Sequence, residues 1–246
     1  MTTSKTRPLC SFRFGTEGGY GATLSLFCDL IETTPEDAVV VAPEVCLTGF
    51  DYERFDEAAA FAPVALEALL PLSGNRIIVL TLIERRPSGV FNVAKVLHGG
   101  RVVHEQMKSR LFRLGEEHRY FSEGEGDAIA VFEVDGVRMG VLICFELRFK
   151  ELWQRLEGAD VIAVPAQWGK LRASHFATLT EALAVMNQCY VVFSDSSDAQ
   201  MTGLSGVVTP FGEVRRNGNA PCLNVPYEEN EVQKMRRYLD VGINAQ

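Results

Sequence analysis

The sequence predicts an α/β protein in which mixed β-sheets are covered by helices, and three observations carry that expectation. Several short runs are continuously apolar, among them DAVVVAP at 37–43, RIIVLTLIE at 76–84 and ADVIAVPA at 159–166, as in strands buried on both faces. Two further pairs of strand-like runs meet across the tight-turn dipeptides Gly99-Gly100 and Asp135-Gly136, the signature of hairpins. The segment 174–189 spaces Phe176, Leu179, Leu183 and Met186 at helical intervals.

In chain order, PLCSFRF (8–14) reads as a first strand and Tyr20 to Glu32 as a helix. The apolar run 37–43 is the second strand, and a helix is expected over 56–70, stopped by Pro71 and Gly74. The run 76–84 is a third strand, followed by the hairpin of FNVAKVLHG and RVVHEQMK. Ser109 to Asp127 is polar, contains glycine and carries Phe112, Tyr120 and Phe121. It is too long for a plain connector, so it is expected to pack over a site. AIAVFEV and VRMGVLIC form the second hairpin, and LRFKELWQRLE is expected to be helical with Leu147, Leu152 and Leu156 on one face. ADVIAVPA, the helix over 174–189 and YVVFSDS follow in turn. GLSGVVTPFGEVRR reads as two strands around Pro210-Phe211-Gly212, PCLNVP as a short last strand, and EENEVQKMRRYLD as a closing helix before a loose tail. There is no linker, charge block or short-period repeat, so one domain over 1–246 is expected.

The 246 residues suffice for a substantial core, and the 47% apolar and 23% charged content is that of an ordinary globular chain. A formal net charge of −8 argues against nucleic acid or an anionic membrane as the main partner. No apolar run approaches the roughly 20 residues that span a bilayer. The start, MTTSKTRPLCSFRF, lacks the apolar core of a secretory leader, so secretion is not expected. Six cysteines are scattered without a C-x-x-C pair, which reads as free thiols in a reducing cytoplasm. None of the four histidines has a partner at ligand spacing, so neither a metal nor another cofactor is expected.

Three reactive side chains stand at strand ends: Glu44 after DAVVVAP, Lys108 after RVVHEQM and Cys144 after VRMGVLI. A thiol, an amine and a carboxylate gathered at one end of a sheet can run acyl transfer through a thioester. Cys144 precedes a predicted helix, whose N-terminus would favour the thiolate, and the N–H of Phe145 or Glu146 could donate to an oxyanion. Glu44 would serve as general base and then as acid, and Lys108 would neutralise developing negative charge. Each also has a plain structural alternative: a buried thiol, a helix-start carboxylate, and a solvated hairpin-end lysine.

The motifs P-E-x-x-L-T-G-F around Glu44, K-x-x-L-F around Lys108 and I-C-F-E-L-R-F around Cys144 resemble those of the nitrilase superfamily of carbon–nitrogen hydrolases. FN at 91–92, E-H-R-Y-F-x-x-G at 117–124, PAQW at 165–168 and G-x-S-x-x-x-x-P-x-G at 203–212 extend the likeness along nearly the whole chain. The resemblance implies a four-layer α-β-β-α sandwich with two mixed β-sheets, assembled into a homodimer or larger homo-oligomer through surface helices. It also implies Glu44 as general base, Lys108 as oxyanion stabiliser, Cys144 as nucleophile, and Glu117 as the second glutamate that bonds the lysine, with Glu116 as its rival in register. This chain departs from the family pattern at Glu146, Lys150 and Arg110, where aspartate, proline and histidine are usual; the first two lie near the nucleophile and could reshape the pocket.

The implied chemistry is hydrolysis of a small non-peptide amide to an acid and ammonia, with no metal or organic cofactor. The stretches LFRLGEEHRYF and PAQWGKLRASHFATLTEALAVMNQCYVV resemble the branch of omega-amidases and deaminated-glutathione amidases. Arg148, and Arg172 or Lys170, are candidates to hold a substrate carboxylate, with surface ion pairing as the alternative. Phe145 is a candidate substrate contact through its N–H, Trp168 a candidate pocket wall equally at home in a core, and His175 is expected to be structural. An N-carbamoyl-amine hydrolase or a nitrilase is the alternative within the fold. A silent binding protein is disfavoured by the intact set of Glu44, Lys108, Glu117 and Cys144, and a cysteine protease by the lack of a well-placed histidine base.

Overall fold

A computed structural model describes residues 7–16 and 18–243 of the chain. The expectations for the first six residues of the N-terminal segment, and for the tail after residue 243, lie outside the described residues. The strands are β1 (Arg7–Phe12), β2 (Val39–Val41), β3 (Ile77–Arg86), β4 (Gly89–His98), β5 (Arg101–Met107), β6 (Phe132–Val134), β7 (Val137–Val141), β8 (Val161–Ala166), β9 (Tyr190–Asp195), β10 (Gly206–Val208), β11 (Val214–Arg216) and β12 (Cys222–Tyr227). The helices are α1 (Tyr20–Glu32), α2 (Phe55–Ala60), α3 (Ala62–Leu69), α4 (Lys150–Arg155), α5 (Ala173–Asn187) and α6 (Glu229–Tyr238).

Two six-stranded mixed sheets form, in the orders β12-β1-β2-β3-β4-β5 and β6-β7-β8-β9-β10-β11. Read in those orders, both have the same pairings: antiparallel, parallel, parallel, antiparallel, antiparallel. The two halves therefore repeat one topology, although no repeat is legible in the sequence.

Strand alternation sorts the side chains into layers. In β1, Leu9 belongs to the inter-sheet core with Val39, Val41, Ile77 and Val79, facing Met139, Val141 and Ala163 of the other sheet. Cys10 and Phe12 point the other way, onto Leu24, Phe27 and Ile31 of α1 and onto Ala62, Ala65 and Leu69 of α3. Leu152 and Leu156 of the α4 segment, with Phe176 and Leu183 of α5, cover the outer face of the second sheet. The result is the four-layer α-β-β-α sandwich.

Two helices differ from expectation. The helix expected over 56–70 breaks at Phe61 into α2 and α3, because Pro63 sits in the first turn of α3 and has no N–H to continue the bonding of α2. The helix expected to contain Leu147 starts only at Lys150; Cys144–Arg148 forms a 3₁₀ turn, from which Leu147 still reaches the core. Among the described residues no helix is long and apolar enough to cross a membrane.

Topology gathers the strand ends. β5 is antiparallel to β4, itself antiparallel to β3, so β5 points the same way as β3 and its parallel neighbour β2. Lys108 after β5 and Glu44 after β2 therefore leave one end of one sheet. In the other sheet β7 and β8 are parallel, so Cys144 and Gln167 leave adjacent carboxyl ends. The Glu44 N–H bonds the Ala166 carbonyl at 3.1 Å and ties the two ends together. Open parallel sheets place their crevices in such positions.

Candidate active site

Glu44 is completely buried, and its carboxylate is held from three sides. Oε1 accepts from Asn92 Nδ2 at 2.8 Å and from Lys108 Nζ at 2.7 Å, while Oε2 accepts the Gln167 N–H at 3.2 Å. Gln167 also returns its side-chain amide to the Glu44 carbonyl at 3.1 Å. The next residue, Val45, has φ of 39° and donates its N–H to Thr81 Oγ1 at 2.6 Å, which fixes the turn that aims Glu44 inward.

Lys108 has no exposed surface, so the solvated hairpin-end alternative fails. Its Nζ bonds Glu44 and, at 2.8 Å, Oε1 of Glu117. Glu117 Oε2 in turn accepts the Phe112 N–H at 3.0 Å. Glu116, the rival in register, takes a left-handed φ of 60° and points outward to pair with Arg119. That single left-handed residue turns Glu117 inward.

Cys144 is buried at φ of 47°, a backbone state that non-glycine residues hold only when their surroundings impose it. The imposing group is Glu146. Its Oε2 accepts the Ile143 N–H at 2.7 Å, and its Oε1 accepts the N–H and hydroxyl of Ser109 at 2.6 and 2.9 Å. Glu146 thus clamps the cysteine turn to the residue after Lys108, and burial raises its pKa to about 7. The pocket-reshaping role expected of Glu146 and Lys150 is not what the structure shows. Glu146 lies behind the turn and Lys150 opens α4, neither lining the cleft above Cys144, while Arg110 packs over Phe149.

The electrostatics follow from two carboxylates around one ammonium in a dry setting. Burial, assisted by the negative charge of Glu117, raises the Glu44 pKa against the pull of Lys108. Burial alone would lower Lys108, but the carboxylates of Glu44 and Glu117 outweigh it and keep the amine charged. Burial, then the charge of Glu44, pushes the Cys144 thiol well above its ordinary value. The thiolate expected from a helix N-terminus is therefore corrected to a protonated thiol. The turn after Cys144 is short, and the nearby charge is carboxylate. Glu44, whose charge acts on the thiol, is the group placed to remove its proton.

Phe112, Phe145, Arg148, Trp168 and Arg172 line the cleft over Cys144, joined by Gln167 and Gly169; Lys170 does not. The N–H of Glu146 is spent on the Ile143 carbonyl at 3.0 Å, leaving Phe145 as the nearer backbone donor candidate. The Arg148 guanidinium lies 4.8 Å over the Trp168 ring and 3.1 Å from His175 Nδ1. Burial and the neighbouring Arg172 lower its pKa. Neither guanidinium is paired with a carboxylate among the described residues. Trp168 is both wall and core: its ring stacks on Phe176 at 5.0 Å and its Nε1 donates to the Arg172 carbonyl at 2.9 Å. Its N–H is anchored at 2.7 Å by the buried carboxylate of Asp195, which also gathers the N–H groups of Ser196, Thr202 and Gly203.

Sequence reasoning did not single out Asn92, Gln167, Asp195 or Ser109 as site residues. Asn92 left a signal, a lone amide inside the otherwise apolar run VFNVA. Among the described residues no group of three or more His, Cys, Asp or Glu side chains is placed to hold a metal ion.

Comparison with known proteins adds to this geometry. A family model described as carbon-nitrogen hydrolase matches residues 32–219. The chain is 33% identical over 192 residues to the 2-oxoglutaramate amidase of Bacillus subtilis (strain 168), covering 73% of each. It is 30% identical over 188 residues to the omega-amidase YafV of Escherichia coli (strain K12), covering 74% of this chain and 73% of that one. Among solved structures, Saccharomyces cerevisiae Nit3, a member of branch 10 of the nitrilase superfamily, superposes with a TM-score of 0.86 at 20% identity, covering 97% of this chain and 96% of that one.

Proposed function

The chain belongs to the carbon–nitrogen hydrolase family, and from that premise we propose that it hydrolyses the terminal amide of a small linear carboxylate to the acid and ammonia. The observation that carries this reading is the buried cluster in which Lys108 Nζ bridges Glu44 and Glu117, with the Cys144 thiol buried under the charges of all three. Its members are an acid–base carboxylate, a fixed positive charge and a nucleophile with a base in reach.

In this reading Glu44 takes the thiol proton as Cys144 Sγ attacks the amide carbon. The oxyanion is met by Lys108 Nζ and the Phe145 N–H. Glu44 then protonates the leaving nitrogen, ammonia departs and a thioester remains. Glu44 next removes a proton from water, which attacks the thioester carbon; collapse frees the acid and returns the proton to sulfur. Glu117 holds Lys108 in place. Arg148 and Arg172, without acidic partners, favour an anionic substrate, matching the amidase names borne by the relatives at 30–33% identity.

Other parts of the reading rest on less specific features. We place the chain as one catalytic domain in a reducing cytoplasm, where six free thiols are at home. We also place it as a homodimer or larger homo-oligomer, joined through outer helices such as α5, which leaves Val185 and Met186 exposed.

The test is ammonia release from succinamate, 2-oxoglutaramate, an N-carbamoyl acid and an aliphatic nitrile, side by side. Release from the omega-amides, abolished by Cys144→Ala in a folded protein, is the expected outcome. Unchanged turnover in that variant would remove Cys144 as nucleophile, and a preference for the carbamoyl acid or nitrile would replace the amidase assignment.

A further inference from the structure

The space over Cys144 is small, about 20 Å³, enough for roughly one water molecule. A second cavity of about 340 Å³ lies next to it, walled by Leu111, Leu114, Phe149 and Arg110 among others. Phe112 and Phe145 line both. A substrate that runs from Cys144 into the second cavity must pass these two rings.

Phe145 is the fixed one. Its backbone belongs to the cysteine turn, and its ring packs on Phe149 at 5.3 Å. Phe112 is tied by hydrogen bonds at its backbone, while its ring is held by packing alone. Its N–H is bonded to Glu117, and its carbonyl accepts the Gly115 N–H at 3.0 Å. Its ring is half-buried and held by the tilted Phe145 ring at 5.1 Å and by the Arg172 guanidinium at 5.0 Å. The ring also lies against the bare Cα of Gly115, where a Cβ would stand 2.8 Å from it. A backbone anchored to Glu117, with a ring set against Phe145, Arg172 and the Gly115 Cα between two cavities, is the arrangement of a gate.

We propose that Phe112 sets the acyl length the site accepts, and that the cavity beyond it receives the far end of longer omega-amides. This deepens the amidase reading and rests on it. The walls of the second cavity name the chemistry. Leu111, Leu114 and Phe149 suit a methylene chain; Arg110 and Arg113 outnumber the one carboxylate of Glu123 there, and since Arg110 faces Glu151 at 3.6 Å, Arg113, without a carboxylate partner among the described residues, suits a terminal carboxylate.

The test compares kcat/KM for succinamate and for the longer suberamate in the wild type and in Phe112→Ala. The suberamate-to-succinamate ratio is expected to rise by about tenfold or more in the variant, the scale on which pocket methylenes are discriminated. A ratio within about twofold of wild type in a folded variant would overturn the gate. Phe112→Leu, which keeps apolar packing without the ring, repeats the comparison should the alanine variant not fold. A second arm needs no amide turnover: alkylation of Cys144 by iodoacetamide and by its N-hexyl derivative, followed by intact mass. Relief of discrimination against the long reagent in the variant supports the gate, and equal ratios overturn it. Relief in a protein that hydrolyses neither amide would sink the amidase reading and leave the gate standing.

Discussion

Replacing Glu117 with glutamine tests whether the second glutamate acts on the first through charge. Both carboxylates bond the same Lys108 nitrogen, at 2.7 and 2.8 Å, so their bonded oxygens lie no more than about 5.5 Å apart. At an effective dielectric of about 20, two like charges at that separation repel by roughly 3 kcal/mol. Burial is the largest cause of the raised Glu44 pKa, and the charge of Glu117 adds to it. Removing that charge lets Glu44 ionise at lower pH and makes it a weaker base. The acidic limb of the kcat/KM profile should therefore move to lower pH, and the plateau should fall by roughly tenfold or more. Steady-state kinetics from pH 4 to 9, with thermal melting as a fold control, measures both. A limb that stays at its wild-type pH while the rate falls would show that Glu117 positions Lys108 without tuning the base, and the electrostatic account would be wrong.

Two other outcomes follow from the same geometry. Arg148→Met should raise KM for a carboxylate-bearing amide by about tenfold to a hundredfold with a smaller change in kcat, since a charge-assisted hydrogen bond contributes roughly 1.5–3 kcal/mol; equal losses on an uncharged amide would refute the assignment. Glu146 has a folded pKa of about 7, raised from 4.5 chiefly by burial. A raised carboxylate pKa adds stability that is complete below the unfolded value and lost as pH climbs through the folded one, here about 3 kcal/mol between pH 4.5 and 7. Urea unfolding across that window should show a flatter pH dependence for Glu146→Gln than for wild type, and parallel curves would contradict the assignment.

Much of the site was legible because its residues sit where local patterns break. Glu44 interrupts an apolar strand at its end, and Cys144 closes another. Glu117 lies in a recognisable motif. Asn92 was visible as an oddity, but its purpose was not. Its amide meets Glu44 48 positions away, and Gln167 reaches the same carboxylate across 123. No local pattern encodes such pairings.

By itself the sequence determined nearly every strand, both hairpins and the mixed α/β class, and it pointed to the side chains that the fold gathers at the strand ends. Apolar runs, turn dipeptides and helical spacing are local properties, and they fix local structure. Tertiary structure decided how the charges behave. It buried Lys108 between two carboxylates and kept the thiol protonated where a helix N-terminus suggested a thiolate. It turned Glu146 from a pocket residue into a clamp behind the cysteine turn, and it set the Phe112 ring between two cavities. Burial and distance govern these properties, and both exist only once residues far apart in the chain are packed together.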